Sequence, residues 1–254
     1  MRLVTIAERP DLRPALEQAD AAAYPEFLLH AELARLWPAV YDEFPEYQFA
    51  LCDETTGALL AHGNAVPLAW SGVTNGLPAS AESMVQRARA WRRRGGRPTA
   101  LGALQVVVHP ANQGRGLSRS VLEAMAALAS EGRISDLFAP IRPSAKHRYP
   151  LVDLEWYVRW TRDDGLPADP WLRVHHRLGA TPVCMAMRWT TVTGTVADWQ
   201  RWTGRVFRQS GPHVVPGALV PVEIDLQRDR GRYAEPHLWM HYRLDVRRPQ
   251  RAAA

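Results

Sequence analysis

Residues 101–130, LGALQVVVHPANQGRGLSRSVLEAMAALAS, hold in order an apolar strand, a glycine-containing turn and an amphipathic helix. The strand spans 100–108 and stops at His109-Pro110, where proline removes a backbone donor. In the helix, 119–131, Leu122, Met125, Ala126 and Ala129 recur at i, i+3, i+4 and i+7, which predicts one core-facing stripe. Gly132 is a fitting C-terminal stop. Between strand and helix, the turn 113–118 offers unpaired backbone N–H groups at the positive end of the helix dipole. That combination is an anion cradle, suited to a phosphate-bearing ligand.

Working outward, 3–8 reads as a strand, and 12–30 and 32–44 as helical patterns, the second carrying Pro38. Segments 47–52 and 58–70 read as paired strands around the turn Glu54-Thr55-Thr56-Gly57. An insertion at 71–98 contains a helix over 81–94, and a strand is expected over 137–141. A long aromatic connection, 143–169, precedes a helix over 171–178 and a strand over 182–191. Residues 192–254 read as a C-terminal extension packed on a core of residues 1–191, with a helix over 196–203 and a strand-like 219–224. Trp199, Trp202 and Trp239 in that extension suit either a homodimer interface or cover for the core.

Composition excludes several classes. Cys52 and Cys184 are the only cysteines, too few for a disulfide framework or a multi-cysteine zinc site. No apolar run spans a bilayer, and residues 1–12 lack the apolar core of a secretory signal, so a cytoplasmic protein without membrane contact is expected. The net charge is +5, yet Lys146 is the only lysine and the arginines are scattered, so no nucleic-acid stripe emerges. Arg87, Arg89, Arg92, Arg93, Arg94 and Arg97 form the densest cluster, read as a solvated helix face or an anion contact. His237 and His241 would form a metal pair only on a helix, and the intervening Leu238-Trp239-Met240 suits a strand, so no metal is expected. No Gly-x-Ser-x-Gly elbow or dinucleotide fingerprint is present.

The turn Gln113-x-x-Gly116-x-Ser118, placed after a long apolar strand and before a core-packed helix, resembles the Gln/Arg-x-x-Gly-x-Gly/Ala motif of the GNAT superfamily of acyl-CoA-dependent N-acyltransferases. Ser118 departs from the usual glycine or alanine but is still small. A second likeness lies in 175–179, where His175 stands at the tyrosine of a Tyr-x-x-x-Gly pattern. The resemblance covers about 3–191 and implies an α/β (α+β) fold, with a mixed, mostly antiparallel central sheet flanked by helices and splayed at its central strands. It also implies acetyl-CoA or another acyl-CoA as co-substrate, bound by Gln113, Gly114, Arg115, Gly116, Leu117 and Ser118. Gln105, Val106, Val107 and Val108 would lend backbone to the pantetheine arm, and His175 would serve as acid to the leaving thiolate.

Acyl transfer also needs a polarised thioester carbonyl and a base for the acceptor amine. The sequence offers Glu82, His109, Asp153 and Glu155 as bases, with His109 favoured because it ends the central strand. Tyr149, Trp156, Tyr157, Trp160 and Trp171 read as a docked aromatic face or an acceptor wall; Trp156 and Trp160 would share a helix face. A covered pocket favours a small-molecule amine over a protein tail. Two further readings stand beside this one: a silent acyl-CoA-binding module, and a transferase whose donor is an acyl-carrier protein docked on the arginine-rich helix.

Overall fold

The computed structural model describes residues 1–245. Its strands are β1 (Arg2–Thr5), β2 (Gln48–Cys52), β3 (Leu59–Leu68), β4 (Ala100–Val108), β5 (Asp136–Ile141), β6 (Thr181–Gly194), β7 (Gly211–His213), β8 (Val222–Asp225) and β9 (Arg230–Arg243). The helices are α1 (Arg13–Ala23), α2 (Trp37–Glu43), α3 (Ala81–Arg93), α4 (Leu117–Glu131), α5 (Leu154–Tyr157), α6 (Pro170–Arg177) and α7 (Val196–Thr203). They surround one mixed sheet in the order β1-β2-β3-β4-β5-β9-β8-β7, with β6 also paired to β9. Every pairing is antiparallel except β4 with β5.

That exception creates the site. The parallel ladder holds only Leu101 to Leu137 and Gly102 to Phe138, then the strands part. From Ala103 onward the β5-facing edge of β4 has no strand partner among the described residues. Against β3, Asn64 opposes Gln105 while Ala65 opposes Ala103, so Leu104 is an extra, bulged residue. A bulge bends its strand and re-aims its side chains, and here it sits where the splay begins.

The two faces of the sheet are covered differently. Leu117, Val121, Met125 and Ala129 of α4 pack on Phe49, Ala61, Leu101 and Ala103. On the other face, α2, the Phe44 that follows it and α3 bring Val40, Phe44, Met84 and Val85 against Val66, Leu68 and Trp239. The predicted helices over 12–30 and 32–44 are shorter than the pattern suggested. Residues 26–30 and 32–36 form 3-10 turns between α1 and α2, after Pro25 interrupts the first run. Helix α3 is capped by Ser80, whose side chain accepts the Ser83 N–H.

Residues past 192 do not lie on a finished core. They supply β9, hydrogen-bonded to β5 over Leu238–Arg243 and to β6 along most of its length. Trp199 and Trp239 are buried within this chain, while Trp202 stacks on His30. Lys146, the single lysine, is buried as well: its Nζ donates to the Tyr149 carbonyl at 2.8 Å and to that of Leu219 at 2.7 Å. This pins the 143–169 connection to the late segment. Residues 246–254 of the expected extension lie outside the described residues.

Candidate active site

A cleft of about 830 Å³ opens where β4 and β5 separate. It runs from the turn after β4, along Ala103 to Val108, to a polar end between α1, β5 and β9. No helix among the described residues is long and apolar enough to cross a membrane.

At the first end, Gly114 and Gly116 take φ of +77° and +76°, a left-handed conformation that side chains with a Cβ rarely adopt. Nothing lies within 4 Å of where a Cβ would stand at either, so the space above the turn is open. Gly116 caps α4. Among the described residues, the N–H groups of Gly114, Arg115 and Gly116 have no acceptor, and those of Leu117 and Ser118 begin the helix. This arrangement fits the pyrophosphate of an acyl-CoA. Gln113, Gly114, Gly116, Leu117, Ser118, Val106, Val107 and Val108 all border the cleft. The Arg115 side chain does not border the cleft, and its Nη1 donates to Asn112 Oδ1 at 2.9 Å.

Deeper in, His175 is 1% exposed and lines the cleft beside Trp171. Its Nδ1 is hydrogen-bonded to the Tyr242 hydroxyl, and its buried Nε2 has no partner among the described residues. Burial pushes its pKa down to about 3, so the ring is neutral at physiological pH. Burial also raises the Tyr242 phenol, which keeps its proton. Where the Tyr242 hydroxyl donates to Nδ1, the ring's proton is on Nε2. The expected acid to the leaving thiolate is thus a neutral ring rather than an imidazolium.

The polar end is built from groups that sequence spacing does not connect. Arg142, just past β5, donates its Nε to both Glu235 oxygens at 3.0 Å and its Nη2 to the Gly217 carbonyl at 2.6 Å. Its Nη1 has no partner among the described residues. Glu235 also meets His237 Nε2 at 2.8 Å and the Tyr233 hydroxyl at 2.6 Å. Burial alone would raise the Glu235 carboxyl, but Arg142 and the donors from His237 and Tyr233 outweigh it and bring it to about 2. Glu17, Asp20 and Tyr24 line the same cleft, with Trp37 and Trp189 as apolar walls, and Glu17 Oε1 pairs with Arg13 Nε at 2.8 Å. Asp20 Oδ1 accepts from His62 Nε2 at 2.8 Å and from Gln105 Nε2 at 2.6 Å.

Several sequence expectations fall elsewhere. His109 does not border the cleft, because β4 ends there in a 3-10 turn and its Nδ1 accepts the Ala111 N–H at 3.4 Å. Glu82, Asp153 and Glu155 are likewise off the cleft. Of the five aromatics, Trp171 alone lines it; Tyr149, Tyr157 and Trp160 cluster together outside. Trp156 is 62% exposed, and α5 is too short to carry Trp160 with it. Arg89 and Arg92 pair with Glu43 and Glu46, and Arg87 donates to the Gly76 carbonyl, so half of the arginine cluster is engaged within the chain. His237 and His241 lie on β9 and face Glu235 and Asp136, respectively.

No family model matches the chain. The arginine N-acetyltransferase avaD of Aspergillus versicolor is 30% identical over 271 residues, covering 94% of this chain and 92% of that protein. Among solved structures, the loading GNATL domain of CurA from Lyngbya majuscula matches with a TM-score of 0.60 at 16% identity, over 95% of this chain and 96% of that one. The GphF GNAT-like decarboxylase in complex with isobutyryl-CoA also gives 0.60, at 20% identity, over 96% and 100% of the two chains. At these identities the two structures speak to the fold, which they share in its open sheet and flanking helices.

Proposed function

The chain belongs to the GNAT superfamily of acyl-CoA-dependent N-acyltransferases, and on that premise we propose that it acetylates the α-amine of a cationic amino acid of the arginine class. The observation that carries this reading is the opposed charge at the polar end of the cleft. Arg142 keeps Nη1 available for a carboxylate, while Glu17, which lines the same cleft and is tied to Arg13 by Oε1 alone, keeps Oε2 for a cation. The printed activity of the 30%-identical relative points the same way. A guanidinium stays protonated and is a poor nucleophile, which leaves the α-amine as the reacting group.

The residues divide the work along the cleft. Backbone N–H groups from Gly114 to Ser118 hold the pyrophosphate, and the unpaired edge of β4 holds the pantetheine amides. A β4 N–H near the Leu104 bulge polarises the thioester carbonyl. The Nε2–H of His175 steadies the departing thiolate as a hydrogen-bond donor. Holding both substrates in one cleft contributes by orientation, worth up to roughly 7–11 kcal/mol of barrier in well-aligned cases.

A kinetic comparison of arginine, agmatine and citrulline tests the reading. Agmatine lacks the carboxylate and citrulline lacks the side-chain charge. Arginine should show the highest kcat/KM, each analogue falling at least tenfold. Arg142→Gln should remove the advantage of arginine over agmatine. Equal rates for arginine and agmatine in the wild type would overturn the carboxylate assignment.

A further inference from the structure

The four bases that sequence offered all lie off the cleft, yet the acceptor nitrogen must still lose a proton. We infer that Asp20 is the group that takes it. This rests on the acyltransferase reading above and is independent of which amine is preferred.

Asp20 sits on α1 with its side chain 13% exposed, bordering the cleft. Two donors converge on a single oxygen: His62 Nε2 and Gln105 Nε2 both reach Oδ1. Oδ2 carries no hydrogen bond among the described residues. The carboxylate is thus fixed by one oxygen and presents the other. Its supports are themselves held. His62 is fully buried on β3, and Gln105 also donates to Asn64 Oδ1 at 3.0 Å. Asn64 donates to Gln48 Oε1 at 3.0 Å, and Gln48 reaches the carbonyls of Phe44 and Ala65 at 2.8 Å. Gln48 and Asn64 are fully buried and hydrogen-bonded, while the buried Nδ1 of His62 has no partner among the described residues; a network held this firmly orients the group at its end. What it orients is Asp20.

The position along β4 is right for the chemistry. Gln105 lies next to the Leu104 bulge, where the unpaired edge of β4 begins. The phosphate turn lies beyond Val108, so a donor running from that turn along the edge brings its thioester toward Gln105. At about 3.3 Å per residue, Val108 and Gln105 are about 10 Å apart. Asp20 therefore meets the reacting end of the donor rather than its phosphates.

In the step assigned to Asp20, the neutral amine attacks the thioester carbonyl carbon and the C–N bond forms. The nitrogen becomes acidic as it does so, and one of its protons passes to Asp20 Oδ2. The C–S bond then breaks with its electron pair on sulfur. The thiolate gains a proton, Asp20 returns its own to solvent, and the net change is amine plus thioester to amide plus thiol. No strong base is needed, because only the nitrogen made acidic by bond formation must be deprotonated.

The test compares Asp20→Asn and Asp20→Ala with wild type in the full chain, using whichever amine of the panel the wild type acetylates fastest. Asp20→Asn keeps an oxygen for His62 and Gln105, so it preserves the fold. Its kcat should fall about 100-fold or more, with the stabilisation by acetyl-CoA unchanged. Added formate should restore part of the activity of Asp20→Ala, a response that a purely structural defect does not give. The charged and titratable groups around Asp20 are Glu17, Tyr24, Tyr41, His62, Arg142 and Glu235. A kcat within threefold of wild type in Asp20→Asn, or no rescue of Asp20→Ala by formate, would overturn the assignment. If arginine is not the preferred amine, the acceptor reading fails while Asp20 is still judged by these same numbers.

Discussion

His175 makes the stability of this protein depend on pH in a way that can be worked out in advance. Folding lowers its pKa from 6.5 to about 3 because the ring is buried. Below pH 6.5 the unfolded chain binds a proton there and the folded chain does not. The stabilisation is therefore complete above 6.5 and is lost as pH falls toward 3. Between pH 7.5 and 5.0 this one group costs the fold about 2 kcal/mol. For a chain of this size that is a fall in Tm of roughly 4–8 °C. His175→Gln keeps an acceptor for the Tyr242 hydroxyl and removes the titration. Urea unfolding of both proteins at pH 7.5 and 5.0 isolates the effect from all other titrating groups. Wild type should lose about 2 kcal/mol more than His175→Gln across that interval. Parallel losses in the two proteins would refute the claim that His175 is buried and neutral.

Other perturbations probe separate parts of the account. Gly116→Val forces a branched side chain into φ +76° at the cap of α4, and should weaken acetyl-CoA binding at least tenfold by calorimetric titration. Glu235→Ala leaves Arg142 without its buried partner; a stability loss of about 3 kcal/mol and a raised KM for arginine should follow, by denaturant unfolding and kinetics. Gly231→Ala places a Cβ against Trp199 Cδ1 in the late core, and should cost about 1–3 kcal/mol while sparing acetyl-CoA affinity.

The donor half of the site was legible in the sequence because it is local. Strand, turn and helix follow one another within thirty residues, and two glycines mark the left-handed turn. The acceptor half is assembled from α1, β3, β5 and β9, whose side chains meet only through the sheet order. Asp20 and His62 stand 42 residues apart, and Arg142 and Glu235 stand 93 apart. No periodicity links them. The weight given to the aromatic connection was misplaced for a related reason: bulk and i, i+4 spacing predict a helix face, but α5 closes after Tyr157. The late segment misled because β9 carries buried His, Trp and Tyr residues among its apolar ones, and nothing local shows that β5 and β6 flank it. His175 was singled out by its distance from Gly179, yet the hydroxyl it bonds belongs to Tyr242, 67 residues away.

The central claim is that one cleft brings an acyl-CoA and an amino acid together for transfer. Incubating the full chain with acetyl-CoA and arginine, and measuring released CoA and N-acetylated product by mass spectrometry, tests it most directly. The account predicts equal amounts of free CoA and acetylarginine, modified on the α-nitrogen. CoA released without acetylarginine, or an acetyl group found on the guanidinium, would contradict it.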